Sequence, residues 1–406
     1  MTRPNDTYDV AIAGAGPAGT SAEIHLALHG ARVLLVEQKR FPRAKLCGEF
    51  ISPECYQHFE RLGVAGQMRS AGGATLSETI FYSRSGHNLS VPSQWFGTNS
   101  GALGLSRAEM DQRLLERAKS VGVSVLEDAH VSDVIMDGDR VRGVRLKTAD
   151  ETTEHYAQIT IDATGRSRAL VRRFQFQNGA GRTPQRSRFI AFKAHLENAR
   201  VADGACEIYV YPGGYGGLSS VEGGLSNLCF IASAKDVRRC GSNPETVVRQ
   251  TVMKNARAAY TLAHANARTE WLSVSMEKSG RRILVPTFGL LTIGDAASFI
   301  DPFTGSGMLM ALESGEVAAQ AIIEHREHLG LENSFEELAR EYRSRYARRF
   351  NSRLRVSGLL QHAAFVPRLA ETAILCFGMS ARLRRKVARA TRPTQDREAT
   401  DPVVVK

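Results

Sequence analysis

Short apolar runs and amphipathic stretches alternate along the first part of the chain. The segment Tyr8–Glu37 opens with an apolar run at Val10–Ala13, continues through a helical pattern to about His29, and closes with a second apolar run at Val33–Val36. This order predicts a strand, a tight turn, a helix and a second, parallel strand. The same alternation returns at Leu290–Ile293, where a buried strand precedes a helix that begins near Met308.

Between these segments the pattern changes. After Ser106, which with Glu109 forms a predicted capping box, the sequence predicts a helix, a strand and a hairpin. Residues 75–104 and 178–281 consist of short alternating segments separated by Gly, Ser and Asn, which is typical of antiparallel strands. One helix, at about Pro244–Ala263, is predicted to interrupt them.

These patterns predict an α/β protein with a discontinuous Rossmann-like domain and an inserted second domain. We assign residues 1–74, 105–177 and 282–330 to the nucleotide domain, and residues 75–104 and 178–281 to a mostly antiparallel β-sheet substrate domain. Residues 331–392 are predicted to form basic C-terminal helices and residues 393–406 a disordered tail.

The first turn carries the pattern Gly14-x-Gly16-x-x-Gly19. Gly14 makes the turn, Gly16 lets a pyrophosphate approach the backbone, and Gly19 allows the helix to pack closely on the strand. The N–H groups of the helix that begins near Pro17 then face the phosphates. Glu37, about twenty residues further on, is suited to accept hydrogen bonds from ribose hydroxyls. The segment therefore predicts a dinucleotide site.

A second glycine-lined turn follows the strand at Leu290. Gly294-Asp295 ends this strand, and a loop with Pro302, Gly305 and Gly307 leads into the helix near Met308. This turn is similar to the first one, because it also leads into a helix N-terminus suited to a polar or anionic group. We expect two helix ends to meet one extended ligand.

Charge and cysteine content restrict the function classes. The formal net charge is +11, and residues 331–392 hold fourteen Arg and Lys against five Glu. This basic segment is compatible with anionic lipid, an acidic carrier protein, nucleic acid, or a merely solvated helix face. The six cysteines lack metal or disulfide spacing, and we predict no metal site. The sequence shows no transmembrane stretch and no signal peptide, so we expect a cytoplasmic protein, in contact with a membrane at most peripherally.

Three separated motifs carry a family resemblance. GAGPAG with Glu37, DATG at Asp162–Gly165, and GDAASFIDPFTGSGM at Gly294–Met308 together resemble the class A flavoprotein monooxygenases and their relatives, the geranylgeranyl reductases and flavin-dependent halogenases. The resemblance covers about Tyr8–Ile323. It implies FAD as the cofactor and NAD(P)H as a transient electron donor that docks beside DATG; the same segment can also be simply a strand-ending turn near FAD.

The resemblance also implies which residues bind FAD. The pyrophosphate is expected at the first glycine turn, the adenosine at Glu37 and at the backbone of Val131, and the ribityl chain at Asp295. The flavin ring is expected at the loop with Pro302, Gly305 and Gly307, which we call the late loop. The full expected set is Gly14, Ala15, Gly16, Pro17, Ala18, Gly19, Glu37, Gln38, Arg43, Cys47, Gly48, Arg107, Val131, Asp162, Gly165, Gly294, Asp295, Pro302, Gly305, Gly307 and Met308.

The reaction implied first is hydroxylation of an apolar or aromatic metabolite through a flavin C4a-hydroperoxide. The alternative is reduction of carbon–carbon double bonds, since Lys45–Pro53 looks like the K-x-C-G-x-x-x-S-P stretch of the reductases. Those enzymes usually continue their Pro-Gly-Gly-Tyr segment with an aromatic residue and Phe-Pro, whereas Gly216–Ser220 follows here. Halogenation is disfavoured because the signature of the halogenases, two tryptophans before Ile-Pro, is missing from the sequence. A non-catalytic nucleotide-binding module with a basic tail for nucleic acid is the alternative from another class.

Two residues are predicted to act at the reacting face of the flavin, Cys47 and Pro302. Cys47 either shapes the substrate site or is a buried apolar thiol, as most free cysteines are. His25 and His29 share a helix face but lack nearby carboxylates, so we interpret them as packing or surface residues. His195 and Tyr215 are candidates for substrate contact that the sequence does not rank.

Overall fold

A seven-stranded sheet forms the base of the nucleotide domain. The computed structural model describes residues 7–96, 101–177, 187–277, 279–329, 334–365, 374, 377–378 and 380–392. The strands are β1 (Thr7–Ala13), β2 (Val33–Val36), β8 (Ser124–Leu126), β9 (His130–Asp137), β10 (Arg140–Lys147), β11 (Thr152–Asp162) and β19 (Leu290–Thr292). Five of them run parallel in the order β8-β2-β1-β11-β19, and a β9–β10 hairpin continues the sheet beside β11.

A second, eight-stranded sheet forms the larger part of the inserted region. Its strands are β5 (Glu78–Tyr82), β6 (Asn88–Pro92), β12 (Phe189–Glu197), β13 (Ala205–Tyr211), β14 (Gly214–Ser220), β15 (Ser226–Ser233), β16 (Asn266–Ala267) and β17 (Leu272–Ser275). All their pairings are antiparallel except that of β5 with β13. The α/β fold with a mostly antiparallel second sheet is therefore confirmed.

Two small sheets join the larger ones. β3 (Phe50–Ile51) and β4 (Ala74–Leu76) both pair with β7 (Ala102–Gly104), so the ends of the segment 75–104 pair near the nucleotide domain while β5 and β6 enter the second sheet. β18 (Gly280–Arg281) pairs with β20 (Ser298–Phe299).

The helices of the nucleotide domain bring both glycine turns together. Helix α1 (Pro17–Leu28) crosses helix α9 (Gly307–His325) at small residues. A Cβ atom at Gly315 of α9 would lie 2.3 Å from the carbonyl oxygen of Ala18 in α1. Only glycine permits this approach, which fixes the two helices against each other. The helices are α1 (Pro17–Leu28), α2 (Cys55–Leu62), α3 (Ala65–Arg69), α4 (Arg107–Ser120), α5 (Ala169–Gln177), α6 (Ala234–Arg239), α7 (Pro244–Gln250), α8 (Ala256–Thr261), α9 (Gly307–His325), α10 (Ser334–Phe365) and α11 (Ala381–Ala390).

Two local predictions need correction. The single helix expected at Pro244–Ala263 is broken into α7 and α8. α7 ends at Gln250, a 3-10 turn follows at Val252–Lys254, and Asn255, in an extended conformation, starts α8 with a side chain that accepts from the N–H groups of Arg257 and Ala258. The predicted capping box is half formed. Ser106 Oγ accepts from the Glu109 N–H, but the Ser106 N–H donates to Glu222 instead.

The basic C-terminal region is helical where the structure describes it. The apolar stripe of α10 is buried in the main core, where the Tyr342 hydroxyl donates to the carbonyl oxygen of Thr292 at 2.6 Å. Arg353 is fully buried and pairs with Glu313. The apolar stripe and Arg353 are therefore core, whereas Arg340, Arg343, Arg348 and Arg355 are exposed and form a solvated face. The predicted disordered tail, residues 393–406, lies outside the described residues.

Candidate functional site

A cavity of about 1000 Å³ extends from the first glycine turn, past the late glycine loop, to the second sheet. Its volume suits a large organic ligand. One end is lined by backbone and charged groups, and the other by apolar side chains of the second sheet and by α11.

The first glycine turn combines tight packing with open space. Gly14 has φ +108°, and a Cβ atom there would lie 2.4 Å from the Ala163 carbonyl oxygen; at Gly19 it would lie 2.0 Å from the Gly14 carbonyl oxygen. At Gly16, by contrast, the nearest atom is Arg107 Nη2 at 3.8 Å. Gly16 caps α1 without a side chain, so the first-turn N–H groups remain available to an anion. The turn thus fits a diphosphate.

A buried chain of charges lines the cavity beside the first glycine turn. Glu37 Oε2 accepts from the Ala15 N–H at 3.1 Å and pairs with Arg43 at 3.2 Å. Arg43 also pairs with Asp111, which binds Arg107 through two hydrogen bonds of 2.8 and 2.7 Å. Burial alone would lower the pKa of Arg107, but Asp111 raises that pKa above its usual value. The chain fixes Glu37 and Arg107 in place on the cavity wall.

Asp295 and the late loop form the middle of the cavity. The Asp295 carboxylate forms no hydrogen bond or ion pair within the described ranges, although it lines the cavity. Burial raises the pKa of Asp295, and the cations of Arg166 and Arg107 oppose this rise. A carboxylate without protein donors fits a ligand with hydroxyl groups. Gly305, at φ +61°, then leads into α9.

The loop Cys47-Gly48-Glu49 is tied down by a buried cluster. Glu49 has φ +53° and accepts hydrogen bonds from His195 Nε2 at 2.6 Å, Lys193 Nζ at 2.8 Å and the Arg107 N–H at 2.9 Å. Burial alone would raise the pKa of Glu49, but His195 and Lys193 outweigh it and hold that pKa below its usual value. Asn227 donates to the Cys47 carbonyl oxygen at 3.1 Å. The loop is therefore anchored on the second sheet.

Aromatic side chains pack the late loop against the second sheet. The ring of Phe303 lies 5.4 Å from that of Phe81 and 5.2 Å from that of Tyr215, and the Tyr215 hydroxyl donates to Asp301 at 2.5 Å. Beyond them the wall is largely apolar. It includes Leu89, Val91, Ala191, Ile208, Val210, Ile231, Val274, Ile374, Phe377 and Val387.

Most of the predicted site residues line this one cavity, namely Gly14, Gly16, Pro17, Ala18, Glu37, Gln38, Arg43, Cys47, Gly48, Arg107, Val131, Gly165, Gly294, Asp295, Pro302, Gly305, Gly307 and Met308. Three do not. Ala15 and Gly19 support the turn from behind. Asp162 is buried beneath it, where its carboxylate accepts from the N–H groups of Thr164 and Val171, so a direct contact of its side chain with the cofactor is corrected to a structural role.

Several residues of the site were missed from the sequence. The sequence does not identify Glu49 and Lys193 as site residues, and it does not rank His195. A lysine within the alternating apolar strand Phe189–Glu197 was a usable signal, because a buried cation needs a partner. Nothing in the sequence identified that partner as Glu49. Tyr215 is confirmed as a cavity residue, whereas the His195 imidazole faces Glu49.

Other expectations concern metals and membranes. Within the described residues no cluster of His, Cys, Asp and Glu is suited to a metal ion. His29 is exposed, and burial lowers the pKa of His25 in its helix. No helix of the described part of the chain has both the length and the apolar character needed to span a bilayer.

Comparison with known proteins agrees with this geometry. Residues 7–341 match the family described as FAD binding domain. The chain is 28% identical over 390 residues to the menaquinone reductase of Mycobacterium tuberculosis, covering 89% of this chain and 86% of that protein. It is 26% identical over 324 residues to the digeranylgeranylglycerophospholipid reductase of Methanosarcina mazei, covering 79% and 76%.

Solved structures share the fold. The flavin-dependent brominase Bmp2 superposes with a TM-score of 0.78 at 22% identity, covering 95% of this chain and 93% of that chain. A geranylgeranyl bacteriochlorophyll reductase-like protein from Thermoplasma acidophilum gives a TM-score of 0.76 at 20% identity, covering 95% and 96%. With two glycine turns on one cavity and a family match over most of its length, the chain belongs to the FAD binding domain family and is an FAD-dependent oxidoreductase.

Proposed function

We propose that the protein reduces a carbon–carbon double bond in an apolar, lipid-like substrate, with NAD(P)H as the electron source. The observation that carries the proposal is the long apolar end of the cavity, which continues from the late loop to α11. Ligand sites use a few placed polar groups to fix orientation. The apolar wall here offers few, which suits a hydrocarbon chain better than a small polar aromatic ring.

FAD supplies the hydride chemistry when it is bound and reduced. The residues of this chain hold and shield it. We assign the diphosphate to the turn at Gly14–Gly19, the adenosine ribose to Glu37, and the ribityl hydroxyls to Asp295. Glu37 Oε2 already accepts from Ala15 and Arg43, while Oε1 accepts only from the Lys39 N–H among the described residues. A carboxylate oxygen has two acceptor positions, so Oε1 retains one for a ribose hydroxyl.

The second sheet supplies the substrate wall. Phe81, Phe303 and Tyr215 exclude water from the region beside the late loop, because their rings pack against one another. Cys47 lines the same region, and Glu49 holds its loop. We propose Cys47 and Pro302 as residues that contact the flavin or the substrate.

The relatives support reduction over hydroxylation. Both relatives described above carry reductase names, and they cover most of the chain at 28% and 26% identity. Hydroxylation of an apolar or aromatic metabolite stays the second candidate, because Gly216–Ser220, within β14, departs from the reductase pattern. Its glycines bring β14 close to β15: a Cβ atom at Gly216 would lie 2.8 Å from Phe230 Cβ.

The two reactions are separated by their need for oxygen. Purified protein with bound FAD is incubated with NADH or NADPH and with isoprenoid, quinone or aromatic compounds, in air and without oxygen. Reduction predicts turnover without oxygen and a product that gains two hydrogens by mass spectrometry. Stoichiometric oxygen uptake with a product that gains one oxygen atom would establish the hydroxylase instead.

A further inference from the structure

The helix α11 closes the apolar end of the cavity. Its inner face lines the cavity with Arg384, Val387 and Ala388, and Thr391 and Arg392, which follow the helix, line it too. It rests on the turn Ser93–Phe96, where Arg389 Nε donates to the Trp95 carbonyl oxygen at 3.3 Å. α11 is therefore both a wall of the cavity and part of the protein surface.

Two arginines bind α11 to its support. The Arg384 guanidinium lies 5.8 Å from the centroid of the Trp95 ring, and the Arg392 guanidinium lies 4.3 Å from that of Phe96. Arg392 also pairs with Glu54 at 3.4 Å. These contacts use the cations on the inner side of the helix.

The outer face of α11 carries unneutralised positive charge. Arg382, Arg385, Lys386 and Arg389 are exposed, and no ion pair of these four is formed with the described residues. The sequence Ser380–Arg392 contains no Asp or Glu. Leu383 is 44% exposed among these cations. We call Arg382, Leu383, Arg385 and Lys386 the outer face, because Arg389 takes part in the support of the helix through Trp95.

We propose that the outer face docks on an anionic lipid bilayer, so that the apolar end of the cavity receives its substrate from the membrane. The inference rests on the proposed function in assuming a lipid-like substrate. Cations clustered on the surface of a helix are attracted by anionic headgroups, and the exposed Leu383 adds an apolar contact with the lipid. α11, which forms the wall at this end of the cavity, then lies against the phase in which such a substrate dissolves.

Exposed apolar residues favour a bilayer over nucleic acid. Leu383 lies within the outer face, and α10, which contacts α11, exposes 74% of Leu359. Phosphates of a nucleic acid would bind the cations but give no partner to these leucines. A bilayer accepts both.

The docking is tested with the full-length protein loaded with FAD. Co-sedimentation is measured with vesicles of phosphatidylcholine alone and of phosphatidylcholine with phosphatidylglycerol, at physiological ionic strength. Each cation near an anionic surface strengthens binding about fivefold, so the variant Arg382→Gln/Arg385→Gln/Lys386→Gln should lose about a hundredfold. The matched control replaces three exposed cations with Gln, namely Lys235 and Arg238 on α6 and Lys254 between α7 and α8, and should bind like the wild type.

Several outcomes would overturn the proposal. Equal partition of the wild type and the outer-face variant would do so, as would equal loss in the control. Binding to a DNA duplex or to an acidic carrier protein, without binding to anionic vesicles, would assign the face to that partner instead. Unchanged flavin absorbance in both variants establishes that they are folded.

Vesicle binding and catalysis are read out separately. If the protein binds anionic vesicles but reduces no double bond, the proposed function fails while the docking stands. If it reduces a detergent-dispersed substrate but ignores vesicles, the docking fails alone. If both hold, the outer-face variant should keep its rate on detergent-dispersed substrate and lose at least about tenfold on substrate embedded in anionic vesicles.

Discussion

His195 Nε2 lies 2.6 Å from a carboxylate oxygen of Glu49, although the two residues are 146 positions apart in the sequence. His195 belongs to the second sheet and Glu49 to the loop that carries Cys47. Lys193, two residues before His195 on the same strand, binds the other carboxylate oxygen. The cluster therefore joins the second sheet to the loop that carries Cys47, and both line the same cavity.

Removing Lys193 should show what its cation contributes to the buried carboxylate of Glu49. Lys193→Met is expected to destabilise the protein by about 1.5–3 kcal/mol, because the fully buried Glu49 loses one charge-assisted hydrogen bond but keeps those from His195 and the Arg107 N–H. Adding Glu49→Gln removes the charge that is left behind, so the double variant should be less destabilised than the sum of the two single variants. Chemical unfolding of the four proteins gives the coupling energy. Strict additivity would mean that the two groups do not interact.

The glycines of the first turn should separate folding from cofactor binding. Gly19→Ala places a Cβ atom 2.0 Å from the Gly14 carbonyl oxygen and should prevent folding of the nucleotide domain. Gly16→Ala meets no protein atom closer than 3.8 Å, so the apoprotein should keep its melting temperature. Its affinity for FAD should still fall at least about tenfold, because the methyl group occupies the diphosphate position.

Titration of the apoproteins with FAD, followed by flavin fluorescence, measures this difference. Gly66→Ala in α3 is the control, since nothing lies within 4 Å of a Cβ atom there. An unchanged FAD affinity of Gly16→Ala would remove the diphosphate from this turn.

Cys47→Ala should slow turnover without releasing FAD. We expect a fall of about tenfold in kcat, which corresponds to about 1.4 kcal/mol in activation free energy, if the thiol contacts the flavin or the substrate. Cys55→Ala is the control, because Cys55 is buried in α2 outside the cavity. Equal rates for Cys47→Ala and the wild type would reduce Cys47 to a packing residue.

A larger side chain at the apolar end of the cavity should block binding of the substrate but not binding of FAD. Ile208→Trp adds bulk to the cavity wall, whereas Ile283→Trp adds the same bulk at a site that is 56% exposed. The first variant should raise KM or abolish turnover while its FAD content stays at the wild-type level. Loss of FAD from Ile208→Trp would indicate that the two ends of the cavity are not independent.

Acid should weaken the packing of α2 on α9 through Glu316. Burial alone would raise the pKa of Glu316, but His58, 2.9 Å away, and Arg61, 2.8 Å away, outweigh it and lower that pKa to about 2. A depressed folded-state pKa stabilises the protein above the unfolded-state value near 4.5 and loses this contribution as the pH falls toward 2.

Between pH 5 and pH 3 the loss should be about 2 kcal/mol in the free energy of unfolding. Glu316→Gln should have a lower free energy of unfolding than the wild type at pH 5. At pH 3 the difference in this free energy between the two proteins, the gap, should be smaller by this amount. Urea unfolding at both pH values measures the gap. A constant gap would show that Glu316 is not selectively stabilised in its charged form.

The sequence by itself determined the nucleotide domain and the class of ligand. A strand, the Gly14–Gly19 turn, a helix and Glu37 are local in sequence, and local spacing dictates both their backbone and their chemistry. The late loop and the pattern of short strands were also predictable, because apolar periodicity reports burial directly. The broken helix at Asn255 was not, since a cap there competes with an otherwise helical pattern.

Only the tertiary structure decided which distant residues meet. The pairing of β5 with β13, the contact of Glu49 with Lys193 and His195, and the placement of α11 over the apolar end of the cavity join segments far apart in the chain. Neither periodicity nor motif spacing specifies such partners. They follow from the simultaneous burial of apolar faces and the need of each buried charge for an opposite one.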